Sequence, residues 1–316
     1  MTNPHKYDRF MLILLGFACL LQACQPSAQV NLTATPTTTQ EAIQTPTSTS
    51  TPSPSPTTTE LPLAMPTLPA EISDEDIKNS LAESLIEGVD WHVIIENEGG
   101  ERLFERNPDE LFHPASTIKL PVALVVLKIL EERGDSLEKI KSYGIGRSWA
   151  ELVSAMIVKS EEAATESLEF FARGDNQLRN YLDEWGLRQT TFDPRLSTAE
   201  DLLLSLKLVN NQDVLSEDFN NFLLELMGEY TENDETLLGV LSAELPQCKF
   251  YNKRGTLTNP MVVADMGILK CPEQTWYLVI AGTPQEDSAV KYEDIQAAIE
   301  NFGRTFAPYC EAKPES

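Results

Sequence analysis

The sequence predicts a mixed α/β (α+β) fold, with strands from both ends of the folded part sharing one layer and an all-helical stretch inserted between them. Three observations point there. Strand-like apolar runs occur only near residues 91–104 and again from 249 onward. The long middle carries helical spacing alone, and the residues before about 71 offer no apolar period with which to build a core. With 316 residues and 41% apolar content, one sizeable domain plus an appended segment fits the length.

The elements follow in order. Lys6 and Arg9 precede an apolar run from Phe10 to Leu21, broken only by Gly16. As a helix it spans about 18 Å, too short for a hydrocarbon core of ~30 Å, so it reads as a secretory signal. It ends in Leu21-Gln22-Ala23-Cys24, which resembles a bacterial lipobox. That resemblance implies a lipoprotein signal peptide over 1–23 and a lipid on Cys24, exported to the outer face of a bacterial membrane. Residues 24–70 are a Ser/Thr/Pro-rich linker; from Thr45 to Thr59 nothing else occurs. Such a chain stays extended and reaches on the order of 100 Å, a length suited to a target in the cell wall.

The folded part is expected over 71–316. Ile77, Leu81, Leu85 and Ile86 give a first helix, and Trp91 to Ile95 a strand. Gly99-Gly100 supplies a hairpin turn before Arg102-Leu103-Phe104. An apolar helix is expected from Ser116 to about Arg133, then helices near 148–159, 161–172, 175–185, 198–209 and 215–227. Strand character returns at Lys249-Phe250-Tyr251, Met261 to Leu269 and Trp276 to Ala281, and an amphipathic helix closes the chain at about 288–306. The helical subdomain thus occupies about 113–230.

The net charge of −25 sits almost wholly in this part, since only Lys6, Asp8, Arg9, Glu41 and Glu60 are charged before residue 71. So acidic a globule is repelled by nucleic acid and by anionic membrane surface. No His/Cys zinc pattern, phosphate loop or Gly-x-Ser-x-Gly elbow is present, so neither metal nor cofactor is expected.

The chemistry concentrates in His113-Pro114-Ala115-Ser116-Thr117-Ile118-Lys119-Leu120-Pro121. On a helix Lys119 lies one turn from Ser116, and a desolvated neutral lysine can take the proton of a serine hydroxyl. The residues after Lys119 are all of the buried type, so a lysine there needs a reason. His113 is expected to pack or cap. Phe112 to Val122 resembles the nucleophile helix of class A β-lactamases and their penicillin-binding DD-peptidase relatives. The family's second motif is matched by Ser160-Glu161-Glu162 and its third by Lys253-Arg254-Gly255-Thr256, in the same order and with similar spacing over about 75–308.

The resemblance implies a five-stranded antiparallel sheet flanked by helices, with the helical subdomain inserted. It also implies an acyl-enzyme on a β-lactam or acyl-D-Ala-D-Ala type amide in the cell envelope, with a small-molecule or peptidoglycan-peptide partner and a monomeric chain. In it Ser116 attacks, Lys119 activates, Ser160 relays a proton to the leaving nitrogen and Lys253 holds the substrate carboxylate. Glu162, Arg254, Gly255 and Thr256 line the substrate site, the amides of Ser116 and Thr256 forming the oxyanion hole.

Three departures bear on activity. Glu162 replaces an amide and is expected to raise the pKa of Lys119. Arg254 replaces a threonine, and pairing of Glu162 with Arg254 across the cleft is the expectation. Trp185 to Phe192 runs straight into Asp193-Pro194, too short to carry the family's deacylating glutamate; Asp193 reads as a turn residue rather than its substitute. Efficient β-lactam turnover is therefore not expected, and a catalytically degenerate, peptidoglycan-binding lipoprotein of the same fold is the alternative. Of the remaining cysteines, Cys248 begins one strand and Cys271 ends its hairpin partner, so the two face each other as a disulfide in an oxidising compartment.

Overall fold

The computed structural model describes residues 73–139, 146–232 and 236–312. The expected signal peptide, Cys24 and the expected linker lie outside the described residues. Helix α1 (Asp74–Ser84) leads into β1 (Val89–Asn97) and β2 (Arg102–Arg106). Between these strands the Glu101 amide donates to Asn97 Oδ1 at 2.9 Å, and Gly100 takes φ +83°, as the glycine pair predicted.

A single 3-10 turn, Ala115–Ile118, opens α2 (Lys119–Glu132), followed by α3 (Trp149–Ile157), α4 (Glu162–Ala172) and α5 (Gln177–Trp185). A two-residue hairpin, β3 (Thr191–Phe192) and β4 (Arg195–Leu196), precedes α6 (Ala199–Asn210), α7 (Glu217–Glu232) and α8 (Val240–Glu244). Three long strands, β5 (Lys249–Thr258), β6 (Met261–Lys270) and β7 (Thr275–Pro284), and helix α9 (Tyr292–Ala312) complete the chain.

The main sheet runs β2-β1-β7-β6-β5, antiparallel throughout, so strands from both ends of the folded part interleave as expected. Its central strands are buried on both faces, and side chains alternate between two cores. Trp91, Val93 and Ile95 face α1 and α9, together with Leu278 and Ile280. Ile94, Met266, Val279 and Ala281 face the helical layer around α2. Helix α2 is apolar all round because it is enclosed all round: every residue from Lys119 to Leu127 is buried. Pro121 costs it no hydrogen bond, since it falls in the first turn.

The small β3–β4 hairpin was not anticipated; two-residue strands around a cis Asp193–Pro194 bond leave no alternation to read. Helix α9 starts later than expected, because Lys291 N–H finds Asp294 Oδ2 at 2.9 Å, and it continues further, carrying Phe306 and Tyr309 into the core. Cys248 and Cys271 are joined, with S–S 2.00 Å, beside the paired Lys249 and Lys270 at one end of β5 and β6.

Candidate active site

Three pieces of chain meet where β5 packs against the turn that opens α2. The first is the turn itself. Ala115 takes φ +48°, a left-handed conformation that costs a non-glycine residue roughly 1 kcal/mol or more. It is held there by its amide donating to His113 Nδ1 at 3.0 Å, and by Thr117, whose amide and hydroxyl both donate to the Pro114 carbonyl. His113 thus caps, as expected. Its ring is kept below the ordinary histidine pKa by burial and then by the charge of Arg195. The Lys119 amide returns to the Ser116 carbonyl, closing the turn one residue triplet after the serine.

The second piece is the exit from α3. Ser148 and Glu151 form a capping box at its start. At its end Ser160 is left-handed, φ +54°, and the Glu161 amide reaches back to the Ala155 carbonyl at 2.9 Å. This places the Ser160 hydroxyl inward and Glu162 at the first position of α4, where a helix dipole favours an acid.

The third piece is β5, the edge of the sheet. Gly255 lies so close to the turn that a Cβ on it would sit 2.6 Å from the Ser116 amide nitrogen and 2.8 Å from that of Thr117. Any side chain there would push the strand off the turn. Thr256 beyond it is exposed.

The side chains converge on Ser160. Its Oγ lies 3.2 Å from Lys119 Nζ and 3.2 Å from Lys253 Nζ. Lys119 also donates to the Ser160 carbonyl at 2.8 Å and pairs with Glu162 at 3.1 Å. Lys253 donates to the Arg254 carbonyl at 2.9 Å. Both lysines are essentially inaccessible, at 1% and 0% exposure. Burial, and then the charge of Lys119, bring Lys253 down to about 7. Behind it Asp265 is fully buried, bound by both Asn252 and the Leu238 amide, and burial lifts its carboxyl to about 7. Ser116 itself is half-buried, and its Oγ makes no hydrogen bond among the described residues.

Glu162 raises the pKa of Lys119 by its hydrogen bond and charge, as expected, but burial lowers the amine by more, so the net value lies below the ordinary one. One expectation is corrected: Glu162 does not pair with Arg254. One of its oxygens binds Lys119, and the other binds Arg195 at 2.5 Å. Arg254 instead donates from Nη1 to Thr236 Oγ1 at 2.8 Å. The β3–β4 turn explains this, since it directs Arg195 inward and leaves Asp193 exposed, a turn residue as read from the sequence.

Sequence reasoning missed Arg195 and also Glu169, which is buried on α4 and accepts from Arg195 at 3.0 Å. Burial raises the Glu169 carboxyl, although Arg195 and Arg173 oppose it. Glu162 and Glu169, seven apart, share one face of α4, a signal the sequence contained. Arg195 had none, because its direction depends on a turn of only two residues.

With this geometry in view, comparison with known proteins is informative. The model of the beta-lactamase enzyme family matches residues 73–309. No curated protein matches. Among solved structures, the TLA-3 extended-spectrum beta-lactamase superposes with TM-score 0.65 at 19% identity, covering 76% of this chain and 100% of that one. A class A beta-lactamase from Bacteroides cellulosilyticus DSM 14838 gives 0.65 at 18%, covering 76% and 99%. A mutant of PBP-A in acyl-enzyme complex with penicillin G gives 0.62 at 19%, covering 76% and 96%. At these identities the likeness to each structure is one of fold.

Proposed function

Because this chain belongs to the beta-lactamase enzyme family, we propose that it is a serine hydrolase that acts through an acyl-enzyme on an anionic amide of the β-lactam or acyl-D-Ala-D-Ala type. The observation that carries this reading is the Ser160 hydroxyl 3.2 Å from each of two buried lysines, one of them a turn of helix from Ser116. Ser116 Oγ attacks the amide carbonyl carbon while its proton passes to the Lys119 amine. The carbonyl electrons move to oxygen, stabilised by the amides of Ser116 and Thr256. The C–N bond then breaks; Ser160 gives its proton to the departing nitrogen and regains one from the Lys119 ammonium. An ester on Ser116 remains for water to hydrolyse. Lys253 and Arg254 attract the substrate carboxylate, a local positive cluster on a strongly acidic chain.

Release is the slow step in this account. Glu162 and Glu169 are both committed to Arg195, so neither is left to activate a water. A lipid on Cys24 and the long linker would present this activity to the cell wall. A mutant of PBP-A, a protein of similar fold, forms a penicillin G acyl-enzyme complex.

Intact-mass measurement after incubation with a fluorescent penicillin tests the proposal. A long-lived adduct on the native protein, absent from Ser116→Ala, is the expected result. A second reading, substrate binding without turnover, draws on the Ser116 hydroxyl, unbonded among the described residues, and on three acceptors already facing the Lys119 amine. It would be favoured by wall fragments binding native protein and Ser116→Ala equally, with no adduct on either.

A further inference from the structure

Four charged residues lie in a row beside the catalytic lysine. Lys119 Nζ is 3.1 Å from Glu162 Oε2, and Glu162 Oε1 is 2.5 Å from Arg195 Nη1. Arg195 Nη2 is 3.0 Å from Glu169 Oε1, and Glu169 Oε2 is 3.4 Å from Arg173 Nη2 beyond. The signs alternate along the whole row. Each arm of the Arg195 guanidinium takes a different carboxylate, a division that the planar fork permits and that a point charge does not.

A carboxylate against a general base is an awkward neighbour. It stabilises the ammonium, whereas the attack by Ser116 needs the free amine. The geometry points to Arg195, held in place by Glu169, as a positioning residue that takes up the charge of Glu162 and so keeps Lys119 available as a base. Glu162 and Arg195 then act as one nearly neutral unit, standing where a neutral amide would otherwise serve. Glu169 fixes the guanidinium from behind and is itself almost inaccessible, at 6% exposure. The inference rests on the acyl-enzyme reading above for its purpose, though not for its electrostatics.

Other charges face the same amine. Glu162 and Glu169 come from α4, Arg195 from the β3–β4 hairpin and Lys253 from β5; Asp265 on β6 and Arg254 act on Lys253 in turn, and His113 lies beside Arg195. Burial and Arg195 favour the neutral amine; Glu162 and Glu169 favour the ammonium. Arg195 pairs with Glu162 and Glu169 and touches none of Ser160, Lys119 and Lys253, so its removal leaves their mutual contacts in place.

The test is a titration of the Lys119 side chain by NMR in protein labelled with 13C-lysine, the resonance being identified by its loss in Lys119→Arg. Arg195→Gln is expected to raise the midpoint by about one pH unit, a tenfold gain in proton affinity. Arg195→Lys, which keeps the charge, should recover most of that shift. Labelling by a fluorescent penicillin, followed over the same pH range, should show its acid limb moving with the midpoint. A midpoint unchanged or lowered in Arg195→Gln, or an Arg195→Lys protein behaving like Arg195→Gln, overturns the proposal. If the midpoints move as expected but no Ser116-dependent labelling occurs, the acyl-enzyme reading fails and the charge arrangement stands. If labelling depends on Ser116 but the midpoint does not respond, the positioning role fails alone.

Discussion

Two clusters in this molecule use the same parts to opposite ends. In one, Glu96 on β1 is held by Arg102 at 3.0 Å and by Lys207 from α6; Arg102 also reaches Glu200 at 2.5 Å. In the other, Glu162 is held by Lys119 and Arg195. Each is a carboxylate between two cations. What differs is which partner is buried. The Glu96 side chain is 4% exposed and its cations about a third, whereas the Glu162 side chain is 49% exposed and Lys119 only 1%. Burial opposes the charge of whichever group it encloses. For Glu96 the two hydrogen-bonded cations outweigh it, so the carboxyl stays below its ordinary range and the cluster is a permanent ionic bolt between sheet and helix. For Lys119 burial outweighs its acidic neighbours, Glu162 foremost, so the amine is pushed toward neutrality. One cluster serves the fold; under the proposed acyl-enzyme reading, the other holds the base beside the nucleophile.

The sharpest way to break the comparison is to remove the buried member of each. Lys119→Met fills the same space with an apolar side chain, and stability should stay within about 1 kcal/mol of native, because burial already disfavours the charged amine and Glu162 keeps Arg195 as its partner. Reactivity of Ser116 should fall about a thousandfold, read as the rate of penicillin labelling. Glu96→Gln should do the reverse. It leaves labelling intact and lowers stability by about 3 kcal/mol in urea denaturation, since two cations lose their shared acid. If Glu96→Gln abolished labelling while leaving stability unchanged, the assignment of roles would be wrong.

The pH response follows with its sign. The Glu96 carboxyl is depressed in the folded protein by its hydrogen bonds to Lys207 and Arg102, against burial. Its contribution is therefore complete above the ordinary carboxylate range, about 4.3, and is lost as pH falls through the lower folded value. Native protein should lose stability in that acid window more steeply than Glu96→Gln, as urea midpoints at successive pH values would reveal.

Smaller effects sharpen the second cluster. Glu162→Asn and Arg254→Thr should be additive within about 0.5 kcal/mol, because the two side chains have separate partners. Glu162→Asn and Arg195→Gln should instead couple by about 1 kcal/mol in a double-mutant cycle. Asp193→Asn, at an exposed turn, should change neither stability nor adduct lifetime measurably.

The sequence made legible whatever has local periodicity or a fixed spacing. The apolar runs of β1, β6 and β7, the enclosed helix α2 and the Ser116–Lys119 spacing were all readable because one element carries each. The Cys248–Cys271 bridge was readable because both residues end paired strands. The Glu162–Arg254 pairing was misread since it required knowing where two long side chains turn. Arg254 found Thr236, and the cation that found Glu162 came from a hairpin whose two-residue strands leave no pattern. Glu169 sat on the right helical face all along, but without Arg195 it had no visible purpose.

The central claim is that burial makes Lys119 a base despite the acid beside it. The rate of Ser116 acylation by a fluorescent penicillin, followed from about pH 5 to 10.5, tests it most directly. The account predicts a rate that rises with pH through a midpoint well below the ordinary lysine value of about 10.4, a limb that Lys119→Met abolishes. A rate that rises only near that ordinary value, or a limb that persists without Lys119, would contradict it.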